Sequence, residues 1–225
     1  MAAWDAPPGG VATRLGSADQ RDPFRLRPDP ALLTEHPEQA WTTASHALGR
    51  GRMRADQVFV KGGGFTLGLT TGRCDGAELR SRDRVGFGIY VARMRTPLAP
   101  GSISALFLYE DVPAGNDEID IEILNDGSRL MLLTAWVGGS KTRETSVDLP
   151  FDPHEGFHDY EIAWTDAGLR LSADGGVLVQ WADRYPRAPM RVMANVWWPS
   201  WLPCAPLDSH PSLEIAALSR STASR

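Results

Sequence analysis

From Trp41 onward, short apolar or alternating runs are separated by Gly, Pro, Asp and Asn, and no apolar stripe at helical spacing persists long enough to make a helix. The runs fall at 57–60, 65–69, 88–94, 103–109, 130–137, 158–165, 169–173 and 177–181. The breaks read Lys61-Gly62-Gly63-Gly64, Thr96-Pro97, Pro113-Ala114-Gly115-Asn116, Asn125-Asp126-Gly127 and Ala173-Asp174-Gly175-Gly176. Side chains on a strand alternate between two faces. Short strands at this spacing, joined by such turns, build a β-sandwich or jelly roll. Asp174-Gly175 predicts a tight hairpin, because both residues tolerate positive φ. No internal repeat and no low-complexity tract is present.

A chain of 225 residues suffices for one large all-β domain with a full core. Residues 1–30, rich in Pro, Gly, Asp and Arg, predict an irregular N-terminal arm, and 31–225 the domain itself. The net charge of −5 and the absence of a basic face argue against nucleic acid as a partner. No apolar run has the length of a membrane span. The N-terminus Met1-Ala2-Ala3-Trp4-Asp5-Ala6-Pro7-Pro8 lacks a basic start followed by an apolar stretch, so no signal peptide is visible and the localisation stays open. A monomer is the expectation. Cys74 and Cys204 lack metal-site spacing. Sequence does not decide whether they pair, and the general burial of free cysteine favours two buried thiols.

One segment carries chemistry. Glu118-Ile119-Asp120-Ile121-Glu122 puts three acids on one face of a strand and two isoleucines on the other. Like charges on one face are costly unless they serve a purpose. The Cα atoms of Glu118 and Glu122 should lie about 13 Å apart, and inward-leaning side chains bring the carboxyls to about 5 Å, the separation used by retaining glycoside hydrolases. Such an enzyme needs one ionised carboxylate and one protonated carboxylic acid, and Asp120 between the glutamates helps to separate their titrations. The alternatives are a solvated amphipathic face and a calcium site using Asn125 and Asp126, though calcium loops turn sharply and this segment reads as extended. Trp197, Trp198 and Trp201 follow Asn195. Aromatic planes of this kind stack on sugar rings, and core packing is the ordinary alternative. Trp197 and Trp198 must point opposite ways on a strand, so only one can face a groove.

The acid segment resembles the Glu-x-Asp-x-Glu signature of glycoside hydrolase family 16, and its bacterial lichenase branch is the nearest in pattern. Further likeness lies in Gly76-Ala77-Glu78-Leu79-Arg80-Ser81-Arg82, Gly86-Phe87-Gly88-Ile89-Tyr90, the run from Ser102 to Tyr109, Phe157-His158-Asp159-Tyr160-Glu161-Ile162-Ala163-Trp164 and Met193-Ala194-Asn195-Val196-Trp197. In order, these cover Val58 to Leu218. The resemblance implies a concanavalin-like β-jelly roll of two antiparallel sheets, with a substrate groove on the concave face. It implies Glu118 as nucleophile, Glu122 as acid/base and Asp120 as helper. For sugar binding it implies Glu78 and Arg80 from an adjacent strand, Phe107 and Tyr109 lining the groove, and Asn195 with Trp197 bonding and stacking. Asn116 stands where lichenases carry a tryptophan platform. Either Trp136 or Thr134 takes the family's polar and aromatic role after the acid strand. Arg82 and Glu110 read as solvated charges, and His158 as a polar residue distant from the site.

The implied activity is retaining endo-hydrolysis of a β-glucan, mixed β-1,3-1,4-glucan first. The alternatives are a bacterial exopolysaccharide as substrate, transglycosylation, and a non-catalytic carbohydrate-binding jelly roll. No cofactor is required. The resemblance allows a structural calcium on the convex side, and it implies an extracellular or periplasmic location.

Overall fold

The computed structural model describes residues 31–32, 40–70, 72–204, 207 and 209–221. The arm expected at 1–30 lies outside these residues. In chain order the strands are β1 Ala31–Leu32, β2 Trp41–Thr42, β3 His46–Leu48, β4 Gly51–Met53, β5 Val58–Lys61 and β6 Gly64–Gly68. Next come β7 Ala77–Val85, β8 Gly88–Arg95, β9 Ile103–Val112, β10 Gly115–Leu124, β11 Leu130–Val137 and β12 Ser140–Asp148. The last are β13 His158–Trp164, β14 Leu169–Ala173, β15 Gly176–Trp181, β16 Met190–Trp197 and β17 Ser212–Ser221.

Two antiparallel sheets form a sandwich. The inner sheet has the order β12-β11-β10-β9-β16-β7-β2, and the outer sheet β15-β14-β13-β8-β17-β6-β5, with β1 added to β17. A separate hairpin joins β3 to β4. One continuous core fills the space between the sheets. Ile119, Ile121, Ile123, Leu106, Leu108 and Val192 come from the inner sheet and meet Tyr90, Met94, Tyr160, Ile162, Trp164 and Leu171 from the outer one. Burial of one such side chain is worth about 1.5–3 kcal/mol. The three isoleucines of β10, all fully buried, therefore pin its register. A one-residue slip would drive the acids into the core and the isoleucines into water.

All eight apolar runs coincide with strands to within one residue, apart from the later end of β9. β7, β12, β16 and β17 lie outside those runs. β12, Ser-Lys-Thr-Arg-Glu-Thr-Ser-Val-Asp, is a largely exposed edge strand whose inward side is only half-buried and, apart from Val147, not apolar, so it shows no apolar alternation. The Asp174-Gly175 turn has φ of 46° and 75°, as the hairpin reading requires. The break expected at 113–116 is shorter, with only Pro113 and Ala114 turning. Gly115 and Asn116 already pair with Val112 and Asp111. Gly115, at φ 137°, leaves room for Gly139, whose Cα would lie 2.7 Å from an added Cβ.

The expectation of two free thiols is wrong: Cys74 and Cys204 form a disulfide, with their Cα atoms 5.9 Å apart and 130 residues between them in sequence. The bond ties the segment before β7 to the segment after β16, two strands that pair side by side. Sequence spacing carries no trace of that neighbourhood, which only the folded sheet creates.

Candidate active site

The side chains of the inner sheet that point away from the core stack in rows across the strands. One row runs Glu122, Ala105, Asn195, Glu78. The next runs Thr134, Asp120, Phe107, Met193, Arg80. A third holds Trp136, Glu118 and Tyr109. These rows floor an open groove of about 510 Å³. Glu118, Asp120, Glu122, Glu78, Arg80, Phe107, Tyr109, Asn116, Asn195 and Trp197 all line it. Trp136 does not, and it meets the site through Thr134. Phe107 belongs to a small cluster with Ala105 and Met193 on the groove face, apart from the main core. Trp197 lines the groove while Trp198 is fully buried, the opposition that strand geometry demands. Trp201 is exposed on the following loop.

Two placements differ from expectation. Glu78 and Arg80 are not on a strand adjacent to the acids, because β9 and β16 intervene. Three inter-strand spacings put them about 14 Å away across the floor. Glu110 is not a solvated charge: both of its oxygens accept from Arg84, and Arg191 lies 4.0 Å away. Arg82 is exposed. His158 is on the outer sheet, stacked on Phe151 and 2.7 Å from Asp174. Asn125 is buried, accepting from Ser104 and donating to Ser102.

A hydrogen-bond chain of defined direction leads into the acids. The Trp136 indole is only a donor, and it donates to Thr134 Oγ1 at 3.3 Å. The Thr134 hydroxyl donates to Asp120 Oδ2. Asp120 in turn hydrogen-bonds Glu118. From the other side, Asn116 Nδ2 donates to Glu118 Oε2 at 2.7 Å. Glu118 is thus the terminal acceptor, and Asp120 reaches it by donating a proton.

The electrostatics agree with that direction. Burial, then the charges of Glu118 and Glu122, push the Asp120 carboxyl well above the usual carboxylate range. Burial also raises Glu118, aided by the charge of Glu78 and opposed by the hydrogen bonds from Asp120 and Asn116. Burial and the Glu118 charge push Glu122 up to about 7, against the pull of Lys141 and the Trp197 indole. A carboxyl near 7 is poised to give a proton at neutral pH and take it back. A less perturbed carboxylate four residues away is able to attack. Thus two chemically identical residues are made to titrate differently by their surroundings.

His46 of the β3–β4 hairpin went unnoticed in the sequence. It lines the groove, with Nε2 3.2 Å from Glu78 Oε1, the oxygen that Arg80 also approaches at 3.4 Å. Nothing local marks it, because 32 residues separate it from Glu78. Asn195 Oδ1, buried in the groove, has no hydrogen-bond partner among the described residues, and the Trp197 indole Nε1 has none of good geometry among them although it acts on Glu122. Among the described residues no cluster of His, Cys, Asp or Glu has the arrangement of a metal site. No helix among them is long and apolar enough to cross a membrane.

Residues 50–203 match the family model described as glycosyl hydrolases family 16. A beta-glucanase of Paenibacillus macerans is 31% identical over 150 residues, which is 64% of this chain and 63% of that protein. An endo-1,3-1,4-beta-glycanase of Rhizobium meliloti is 28% identical over 125 residues, 53% of this chain and 46% of the relative. The match with the Paenibacillus protein thus spans about three-fifths of its length. The fold matches that of a Bacillus licheniformis beta-glucanase with a TM-score of 0.74 at 24% identity, covering 82% of this chain and 92% of the other.

Proposed function

Since this chain belongs to glycosyl hydrolase family 16, we propose that it is a retaining endo-β-glycanase whose preferred substrate is mixed-linkage β-1,3-1,4-glucan. One observation carries the reading. Three acids share the groove floor without an ion pair to any described residue, while the isoleucines between them anchor the strand in the core. The β-glucanase relatives support the choice of glucan.

In this reading Glu118 attacks the anomeric carbon as the bond to the leaving sugar oxygen breaks. Glu122 gives that oxygen its proton, and the leaving chain departs as a hydroxyl. The resulting ester removes the charge on Glu118 that held the Glu122 pKa up, so Glu122 is left as a carboxylate. It then takes a proton from water, whose oxygen displaces Glu118 and restores the starting state. Asn195 Oδ1, without a hydrogen-bond partner among the described residues, bonds a sugar hydroxyl, and the Trp197 indole, which also acts on Glu122, lies beside it in the groove.

The test is a panel of barley β-glucan, laminarin, xyloglucan, agarose and bacterial exopolysaccharides, scored by new reducing ends. NMR of the first product formed adds the stereochemistry. Barley β-glucan should be cut fastest, with the β-anomer appearing first. Inversion at the anomeric carbon would overturn the mechanism, and no release from any polymer would overturn the activity. A product extended by an added oligosaccharide would replace hydrolysis with transglycosylation.

A further inference from the structure

Building on that reading, we propose that Asn116 is a positioning residue for the nucleophile: its side-chain amide holds one oxygen of Glu118 and keeps Glu118 the ionised member of the acid trio. Asn116 and Glu118 stand two residues apart on one strand, so their side chains share a face, and Nδ2 lies 2.7 Å from Oε2. Only the NH2 side of an amide can face a carboxylate in this way, since its oxygen would repel.

The backbone beneath it is fixed. The Asn116 carbonyl accepts from Gly139 N at 2.7 Å, and the Asp117 carboxylate from Gly138 N at 2.9 Å. Gly115 on the preceding side packs against Gly139 in a conformation that favours glycine. Between these anchors the amide is presented to Glu118 from the braced start of β10.

The surroundings of Glu118 show why one amide matters. Its own strand adds the acids Asp120 and Glu122. β9 adds Tyr109, which donates to Asp111 at 2.7 Å. β7 adds the charge of Glu78, and Arg80 at a distance. β11 contributes only the neutral Thr134 and Trp136, and Lys141 of β12 acts on Glu122. No cation touches Glu118 among the described residues. Asp120 steadies its charge only while Asp120 itself is protonated. Asn116 is the donor that does not titrate, and a hydrogen bond to the charged form favours that form.

Asn116→Leu removes the donor at similar size, and Asn116→Gln restores an amide. On the glucan found in the panel, Asn116→Leu should lower kcat about 10- to 100-fold, the scale of one hydrogen bond to a charged group. KM should change less than about threefold, since an interaction acting on the reacting group shows in kcat. The acid limb of the kcat profile should move to higher pH, because Glu118 without the amide holds its proton longer. Asn116→Gln should recover part of both. A raised KM with kcat unchanged would make Asn116 a sugar-binding residue and overturn the proposal. An independent readout is the carboxyl 13C titration of Glu118 in labelled protein, assigned by Glu118→Gln. It should shift upward in Asn116→Leu while the melting temperature stays within a few degrees, and an unmoved titration would overturn the proposal. If no polymer is cut, the glycanase reading fails and this titration still decides the role of Asn116.

Discussion

The acids of β10 and those of the outer sheet are handled in opposite ways. On the outer sheet each acid facing a neighbouring strand has a basic partner. Asp159 meets Arg93 at 3.1 Å, Glu214 meets Arg95 at 2.8 Å, Glu161 meets Arg170 at 3.5 Å and Asp174 meets His158 at 2.7 Å. On β10 of the inner sheet, Glu118, Asp120 and Glu122 are more deeply buried and have no ion pair among the described residues; Asn116, Thr134 and one another supply their hydrogen bonds, and Lys141 acts on Glu122. Burial by itself would raise Asp174, but the His158 hydrogen bond and nearby cations hold it below the usual carboxylate range. The trio on β10 is raised. A fold selected only for stability pairs its acids or leaves them in water. The inner sheet keeps three carboxyls close together without an ion pair among the described residues, which costs stability and is what the proposed nucleophile and proton donor would require.

The sharpest way to break this contrast is to neutralise one acid on each sheet. Glu122→Gln should slow glucan cleavage by about 10²–10⁴-fold, the usual worth of a general acid. Glu118→Gln should do at least as much, with the melting temperature equal or higher because repulsion is relieved. Glu161→Gln should leave the rate unchanged and cost less than about 1 kcal/mol of stability. Equal rates for all three would erase the distinction.

Covalent bracing also falls on the groove side. The disulfide joins the segments flanking β7 and β16, and the neighbouring β3–β4 hairpin is tied to the second of them. Arg50 N donates to Trp198 O at 2.8 Å and its guanidinium to Ser200 O at 2.6 Å. The double substitution Cys74→Ala, Cys204→Ala should cost about 2–4 kcal/mol in denaturant unfolding. No loss would mean that the hydrophobic core alone holds these segments.

The smallest effect concerns pH. Glu122 titrates at about 7 in the fold, above the ordinary glutamate value of about 4.3 when unfolded. The native state therefore binds more protons between those values, and stability falls as pH rises from about 4.3 through 7. Asp174, held low, acts in the opposite direction at acid pH. Melting curves from pH 5 to 8 should show the decline in the parent protein and a flatter profile in Glu122→Gln. Parallel profiles would place the raised titration elsewhere.

The acid strand could be read from sequence because the information is local. A period of two puts acids on one side and isoleucines on the other wherever that strand lies. The same locality exposes the hairpin at Asp174-Gly175. Polar strands such as β12 escaped, since an exposed edge imposes no alternation. Lateral order escaped too, leaving Glu78 and Arg80 assigned two strands too close. His46, the Arg84–Glu110 pair and the disulfide all join residues distant in the chain.

The sequence by itself determined a sandwich of short strands and three carboxyls on one face of one of them, because alternation and turn chemistry act between near neighbours. Only the tertiary structure decided which strands lie beside that face, and thus that Thr134 bonds Asp120 and that Glu122 titrates near 7. Those outcomes depend on burial and on the charge brought near each group, and both are set by the packing of strands far apart in the chain.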